Sequence, residues 1–301
     1  VLILNKRNMA RIEILKTYKL FIGGQFPRTE SGRFYALKNT KGTPIANICL
    51  SSRKDVRNAV QAARKAFGGW SEKTAFNRGQ ILYRIAEMLE GRRDQFIAEL
   101  QVQGVGKARA EKEVEIAIDR IVYYAGWCDK YNQVLSAVNP VSSSHFNFSV
   151  YEPTGVVGIF APQNTSLLGL VSVLMPVIAG GNTCLILASE NMPLCAITFA
   201  EVLHSSDLPG GVVNILTGTN KELADTLSSH MDINAIVYGG EDSKILKTIQ
   251  ENAVSNIKRV IVQKKEWVKP DSQDLYMIID TQELKTTWHP IENIGGATSS
   301  Y

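Results

Sequence analysis

Little in this sequence is available for metal chemistry or covalent cross-linking. Four cysteines (Cys49, Cys128, Cys184 and Cys195) and four histidines are spread over 301 residues, and the cysteines stand at no metal-ligand spacing, inside apolar or helical contexts. They read as reduced, buried thiols of a cytoplasmic protein and argue against a disulfide framework. Nor is there a basic run interleaved with aromatics. The 33 Lys and Arg against 29 Asp and Glu leave a net charge of +4, which reads as an ordinary solvated surface with no nucleic-acid partner. The longest uncharged stretch, Gly155 to Ser189, is broken by Pro, Gln, Asn and a Gly pair, so no membrane partner is expected. The N-terminus, VLILNKRNMARIEILK, places its apolar residues before its basic ones, the reverse of a secretory signal. It reads as an extension, with Met9 as an alternative start.

What is present is a chain that is 45% hydrophobic and long enough to bury a sizeable core. Its centre is Gly155 to Pro193. A short apolar run, 155–161, ends at a Pro; a helix-length apolar segment, 167–178, is broken by Gly180-Gly181-Asn182; a second apolar run, 183–187, follows. Two strands apolar on both faces and joined by a helix must be parallel neighbours in a covered sheet. Further strands are predicted to start near Val212, Ala235 and Ile257, with helices at 194–205, 222–230 and from Gly240 to Glu251. Five strands alternating with helices make a doubly wound parallel sheet, the α/β class.

Before that sheet, Tyr18 to Phe26 reads as the start of a β-hairpin around Gly23-Gly24. A helix follows from Ser51 to Trp70, capped by Ser51 or Ser52 and closed by Gly68-Gly69. Amphipathic helices are expected over 75–101 and 108–131, with Tyr123, Tyr124 and Trp127 as core. Residues 132–153 alternate aromatic and polar side chains, as a projecting ribbon does. After Gln263 the rhythm breaks into a linker, an apolar segment 275–279, the alternating strand 284–289 and a loose end from Gly295.

These phrases, in this order, resemble the aldehyde dehydrogenase family: LFIGGQF, SSRKDVRNAVQAARKAFGGW, RGQILYRIAEMLE, YYAGWCDK, EPTGVVGIFAPQN, PVIAGGNT and LPGGVVNILTG. The resemblance implies a Rossmann-like sheet of that family's type with a protruding antiparallel oligomerisation ribbon. It also implies hydride transfer to NAD(P) from an aldehyde attacked by a Cys thiolate, with an Asn amide holding the oxyanion and a Glu activating water.

Carried over position by position, the family's oxyanion Asn falls on Asn164, beside Gln163 where an aromatic is usual. Its adenosine-ribose contacts fall on Leu187, in place of a Lys, and on Glu190; with Ser189 and the Thr217-Gly218 turn these would form the cofactor cleft. The family's glycine turn falls on Gly239, Gly240 and Lys244, where Glu241 and Asp242 stand at the helix N-terminus as caps whose charge opposes a pyrophosphate. The general-base Glu falls on Gln263, which cannot take a proton from water. No cysteine follows Cys195, so no catalytic residue is assigned; the cofactor-binding remnant is Asn164, Ser189, Glu190, Gly218, Gly239 and Gly240, and any NAD(P) binding is expected to be weak or vestigial.

The phrase Leu284-Lys-Thr-Thr-Trp-His resembles the family's last strand, which implies that the catalytic domain is missing between Gln263 and about Asp274. The divisions expected are an extension (1–17), the N-terminal part of the cofactor-type domain (18–131), the oligomerisation hairpin (132–153), the α/β core (154–263), and a linker with the C-terminal strand (264–301). The function this implies is a non-catalytic subunit that assembles with itself or with a full-length aldehyde dehydrogenase through 132–153 and 284–289. Two alternatives stand beside it: an NAD(P)-binding oxidoreductase using another base (His145, His204, His230 or His289), and one component of a split aldehyde dehydrogenase.

Overall fold

The apolar runs bracketed by Gly and Pro become strands in a computed structural model that describes residues 14–291. Met9 and the end from Gly295 lie outside the described residues. In chain order the elements are β1 (Thr17–Tyr18), β2 (Phe34–Lys38), β3 (Pro44–Cys49), α1 (Arg53–Ser71), α2 (Ala75–Glu90), α3 (Arg93–Val102), α4 (Lys107–Trp127) and α5 (Tyr131–Leu135). Then come β4 (Ala137–Asn139), β5 (His145–Pro153), β6 (Val156–Phe160), α6 (Leu168–Ala179), β7 (Thr183–Leu187), α7 (Leu194–His204), β8 (Val213–Leu216) and α8 (Asn220–Ser229). The last are β9 (Ala235–Tyr238), α9 (Ser243–Ala253), β10 (Arg259–Val262), α10 (Tyr276–Ile279) and β11 (Gln282–Pro290).

Five strands form an all-parallel sheet in the order β10-β9-β6-β7-β8. Every residue of β6, β7, β8 and β9 is buried, because helices cover both faces: α2, α4, α6 and α7 on one side, α1, α8 and α9 on the other. Such a strand has no solvent face to mark with polar residues, which is why these segments read as continuous apolar runs. Gly155 enters β6 at φ +132, where a Cβ would lie 2.3 Å from Asn234 Oδ1; that oxygen instead accepts the Val156 N–H at 2.9 Å.

The helix starts follow local grammar. Ser52 and Asp55 form a reciprocal capping box at α1, and the Ser52 cap fits the expectation. Several elements depart from it. Gly68-Gly69 does not end α1, which continues to Ser71. The helix expected over 75–101 is two, α2 and α3, separated at Gly91-Arg92, and the one expected to reach Tyr131 stops at Trp127. The hairpin expected around Gly23-Gly24 is present as a tight two-residue turn with Ile22 bridging antiparallel to Gln25, while Tyr18 sits in β1, parallel to β3, and Phe21 bridges antiparallel to Ile215 at the edge of the main sheet. The two arms of the hairpin are joined by the reciprocal Ile22–Gln25 bonds and by Leu20 N–H to Pro27 O at 3.0 Å. Strands β2 and β3, unforeseen, pair antiparallel beside β1.

The third sheet, in the order β11-β5-β4, is a ribbon. β11 runs antiparallel to β5 over nine residue pairs, from Gln282–Pro153 to Pro290–His145, and β4 covers part of the other edge. The chain passes from β10 to β11 through residues 263–281, which are packed down. Trp267, Met277 and Ile278 are buried in the main core, Lys265 pairs with Asp274 at 2.6 Å, and the buried Arg120 donates to Lys269 O (3.3 Å), Gln273 Oε1 (3.4 Å) and Ser172 Oγ (2.5 Å). Among the described residues no helix is long and apolar enough to cross a membrane.

Candidate functional site

In a doubly wound sheet, ligands bind outside the carboxyl ends of the strands, where the strand order reverses. Here β6, β7 and β8 progress one way and β9 returns to the far side of β6, so the crevice opens between the ends of β6 and β9. The residues singled out by sequence all follow strand ends: Asn164 after β6, Ser189 and Glu190 after β7, Gly218 after β8, Gly239 and Gly240 after β9, and Gln263 after β10. Two groupings result. Asn164, Gly239, Glu241 and Gln263 line a cavity of about 490 Å³ whose remaining wall is Lys264–Trp267. Glu190 and Gly218 lie at the start of α8, away from that cavity, with Ser189 on the turn between the two.

Gln163 ties the turns after β6 and β7. Its side-chain oxygen accepts the Glu190 N–H at 2.8 Å, its amide nitrogen donates to Ala161 O at 2.8 Å, and its carbonyl accepts from Ser189 Oγ at 3.4 Å. Ser189 Oγ in turn accepts the Met192 N–H at 3.1 Å. The Glu190 carboxylate accepts the Asn220 N–H, and Tyr35 donates its phenol to Glu190 O at 3.5 Å. Gly218 is backed by the Ser51 backbone nitrogen. At β9 the glycine is required by contact: a Cβ on Gly239 would lie 2.9 Å from Pro162 and 3.0 Å from Phe160 O.

The turn into α9 is closed by the chain itself. Asp242 Oδ1 accepts the N–H groups of Lys244 (2.8 Å) and Ile245 (3.3 Å). Tyr238 donates its phenol to Asp242 O at 2.9 Å, and its ring sits so close over Gly240 that a Cβ there would meet the phenol oxygen at 2.7 Å. Burial, and then the nearby Asp242 charge, raise the Tyr238 pKa. Glu241 does not cap; it faces the cavity. Leu187 is fully buried in one cluster with Phe160, Leu216 and Tyr238. These residues do not fit a dinucleotide. The helix-start amides a pyrophosphate needs are used, the position over Gly240 is filled, and the buried Leu187 offers no donor.

Burial disfavours the thiolate at Cys128, Cys184 and Cys195. All four cysteines are buried; burial pushes Cys128 up to about 12 and raises Cys184 and Cys195 further, the nearby Glu99 charge adding to Cys195. A protonated thiol is a poor nucleophile. Gln263 is buried and donates to Asp280 Oδ2 at 3.2 Å. The histidines sit elsewhere: His204 packs edge-on against Phe21 and Phe26, His145 against Trp288, His289 lies on β11, and His230 follows α8 at its C-terminal end. No group of three or more metal-ligating side chains occurs among the described residues.

Sequence reasoning missed Glu113, a buried acid on α4 that accepts the N–H groups of Ser166, Leu167 and Leu168 at 3.0–3.2 Å and so fixes the turn holding Asn164. Its only sequence signal is an acid on the apolar stripe of α4, next to Val114.

The family model for the aldehyde dehydrogenase family matches residues 26–264. The chain is 33% identical over 261 residues to the cytosolic 10-formyltetrahydrofolate dehydrogenase of Mus musculus, covering 85% of this chain and 29% of that protein. It is 32% identical over 253 residues to the putative aldehyde dehydrogenase DhaS of Bacillus subtilis, covering 82% and 50%. The aldehyde dehydrogenase of Bacillus cereus solved as an NAD+ complex superposes with a TM-score of 0.78 at 27% identity, over 82% of this chain and 51% of that one. The chain thus spans about half or less of the length of these relatives. With the ordered motifs, the five-stranded sheet and these likenesses all in agreement, the chain belongs to the aldehyde dehydrogenase family.

Proposed function

We propose that the chain is a non-catalytic, cytoplasmic subunit of the aldehyde dehydrogenase fold that assembles, with itself or with a full-length family member, through its ribbon. The observation that carries this reading is the state of β11. It follows β10 after residues 263–281 alone, pairs with β5 on one side, and has no strand on its other side among the described residues. A nine-residue open edge is a template for another strand. Its side chains support the same reading: Trp288 is 57% exposed, Leu284 55% and, nearby, Val138 66%, more apolar exposure than a free ribbon retains without a partner surface. The replacement of the expected base by Gln263 and the buried thiols speak against catalysis by these residues, and the four free, buried cysteines accord with a reducing compartment.

The test is the native mass. Multi-angle light scattering of the purified chain, alone and after co-expression with a complete aldehyde dehydrogenase, is expected to give an assembly larger than the monomer. Replacing Leu284 and Trp288 by Ser is expected to return it to the monomer mass. A wild-type chain that runs as a monomer in both settings would refute the proposal.

A further inference from the structure

Four helices begin on the carboxyl edge of the main sheet, and a dinucleotide crossing that edge would place its phosphates on their free N–H groups. Three of the four starts already hold a carboxylate of this chain. At α6, Glu113 Oε1 accepts from Ser166, Leu167 and Leu168 at 3.2, 3.0 and 3.2 Å. At α8, Glu190 accepts from Asn220. At α9, Asp242 accepts from Lys244 and Ile245 at 2.8 and 3.3 Å. The fourth start, α7, is buried beneath Pro193, and its Leu194 N–H goes to the neutral Gln103 at 3.2 Å.

An incoming phosphate would therefore find the amides of Leu167, Leu168, Asn220, Lys244 and Ile245 already taken. It would also meet negative charge where the helix dipoles favour an anion. The apolar seats are treated alike: the Tyr238 ring fills the space over Gly240, and Leu187 is buried in the core at the end of β7. The strap Lys264–Trp267, anchored by buried Trp267 and the Lys265–Asp274 pair, stands across the cavity from Asn164.

We infer that the edge is self-liganded: Glu113 and Asp242 occupy the anion positions at α6 and α9, the Glu190 carboxylate that the resemblance aligns with a ribose contact is turned onto the start of α8, and the chain takes neither NAD(P) nor its ADP moiety. The helix starts on this edge are tied down by the chain's own side chains, whether or not the chain assembles with a partner.

Calorimetric titration of the full chain with NAD+, NADP+ and ADP tests this directly. Less than half saturation at 1 mM is expected for all three, and half saturation at or below 1 mM for any of them overturns the inference. A second arm uses inorganic pyrophosphate on Asp242→Gly, which removes the capping oxygen and frees the α9 amides at little cost to the helix start. Binding is expected to be at least tenfold tighter than in the wild type, and no gain removes Asp242 from its assigned place. Asp242→Asn keeps a capping oxygen and removes only the charge. A smaller gain of the same sign is expected there with the melting temperature preserved; a gain in the Gly variant alone, accompanied by a fall in melting temperature of more than roughly 4 °C, would mean loosening rather than an opened seat and would count against the inference. None of these readouts depends on assembly mass, so they stand or fall apart from the subunit proposal.

Discussion

The main sheet and the ribbon are built from the same kinds of residue and reach opposite states. In β6 to β9 each side chain is buried and each helix start on the carboxyl edge is met by a group of the chain. In β11 only Gln282 is buried, and the strand ends on exposed Trp288, His289 and Pro290. One region satisfies its own valences; the other leaves an edge and an apolar surface outstanding. The contrast is between a sheet whose helix starts are met from within the chain and a ribbon whose outer strand has one open edge among the described residues.

The contrast is sharpest between two tryptophans. Trp70 is fully buried and donates its indole N–H to Ile178 O at 3.0 Å, so Trp70→Ala is expected to cost about 3–5 kcal/mol, read as a lowered denaturant midpoint at unchanged slope. A second break acts on the sheet's internal ligands. Glu113→Ala leaves three amides without their acceptor, and a loss of about 2–3 kcal/mol is expected, whereas Glu113→Gln, which keeps an acceptor, should recover most of it in the same urea titration.

A smaller effect comes from Glu99. Burial raises its pKa, against the pull of hydrogen bonds from Thr198 (2.7 Å) and Tyr18 (2.8 Å) to Oε1, while Oε2 is buried without a partner. Because the folded value is the higher one, stability from this group is complete below the ordinary carboxylate pKa and is lost as pH rises through the folded value. Glu99→Gln should therefore melt at or above the wild-type temperature at pH 8, by up to about 1 kcal/mol of stability, with the gap closing toward pH 4. The smallest change in fold stability belongs to the ribbon. Trp288→Ser is expected to alter the stability of the monomer by no more than about 0.5 kcal/mol, yet to abolish the rise of melting temperature with protein concentration that an assembling wild type shows.

How far the sequence could be read follows the same divide. Strands β6, β7 and β9 lie within a residue of their expected limits, because a strand buried on both faces is an unbroken apolar run and paired glycines mark its borders. Asp242 was legible as a cap because N-cap grammar is local. The division between α2 and α3 was not, since the apolar stripe continues from Leu89 to Phe96 and only packing shows that the axis turns at Gly91. Strands β2 and β3 are short and lack a clean alternation, with one buried position in FYALK and three in PIANIC. At the site, the position of each candidate residue after a strand end was readable from chain order. Its occupancy was not: Glu113 reaches α6 from 53 positions away, and the Tyr238 ring over Gly240 is a matter of rotamer and neighbours that no local pattern encodes.

Gln263 and Asp280, which touch at 3.2 Å, mark the two ends of the segment between the sheet and the ribbon. Arg259 reinforces the junction by donating to Asp280 O at 2.9 Å and Gln282 O at 2.7 Å. The doorway out of the sheet and the doorway into the ribbon therefore open side by side. Chains tolerate insertion where entry and exit points lie close together, so a whole folded module can be spliced in or out between these two residues while sheet and ribbon stay where they are.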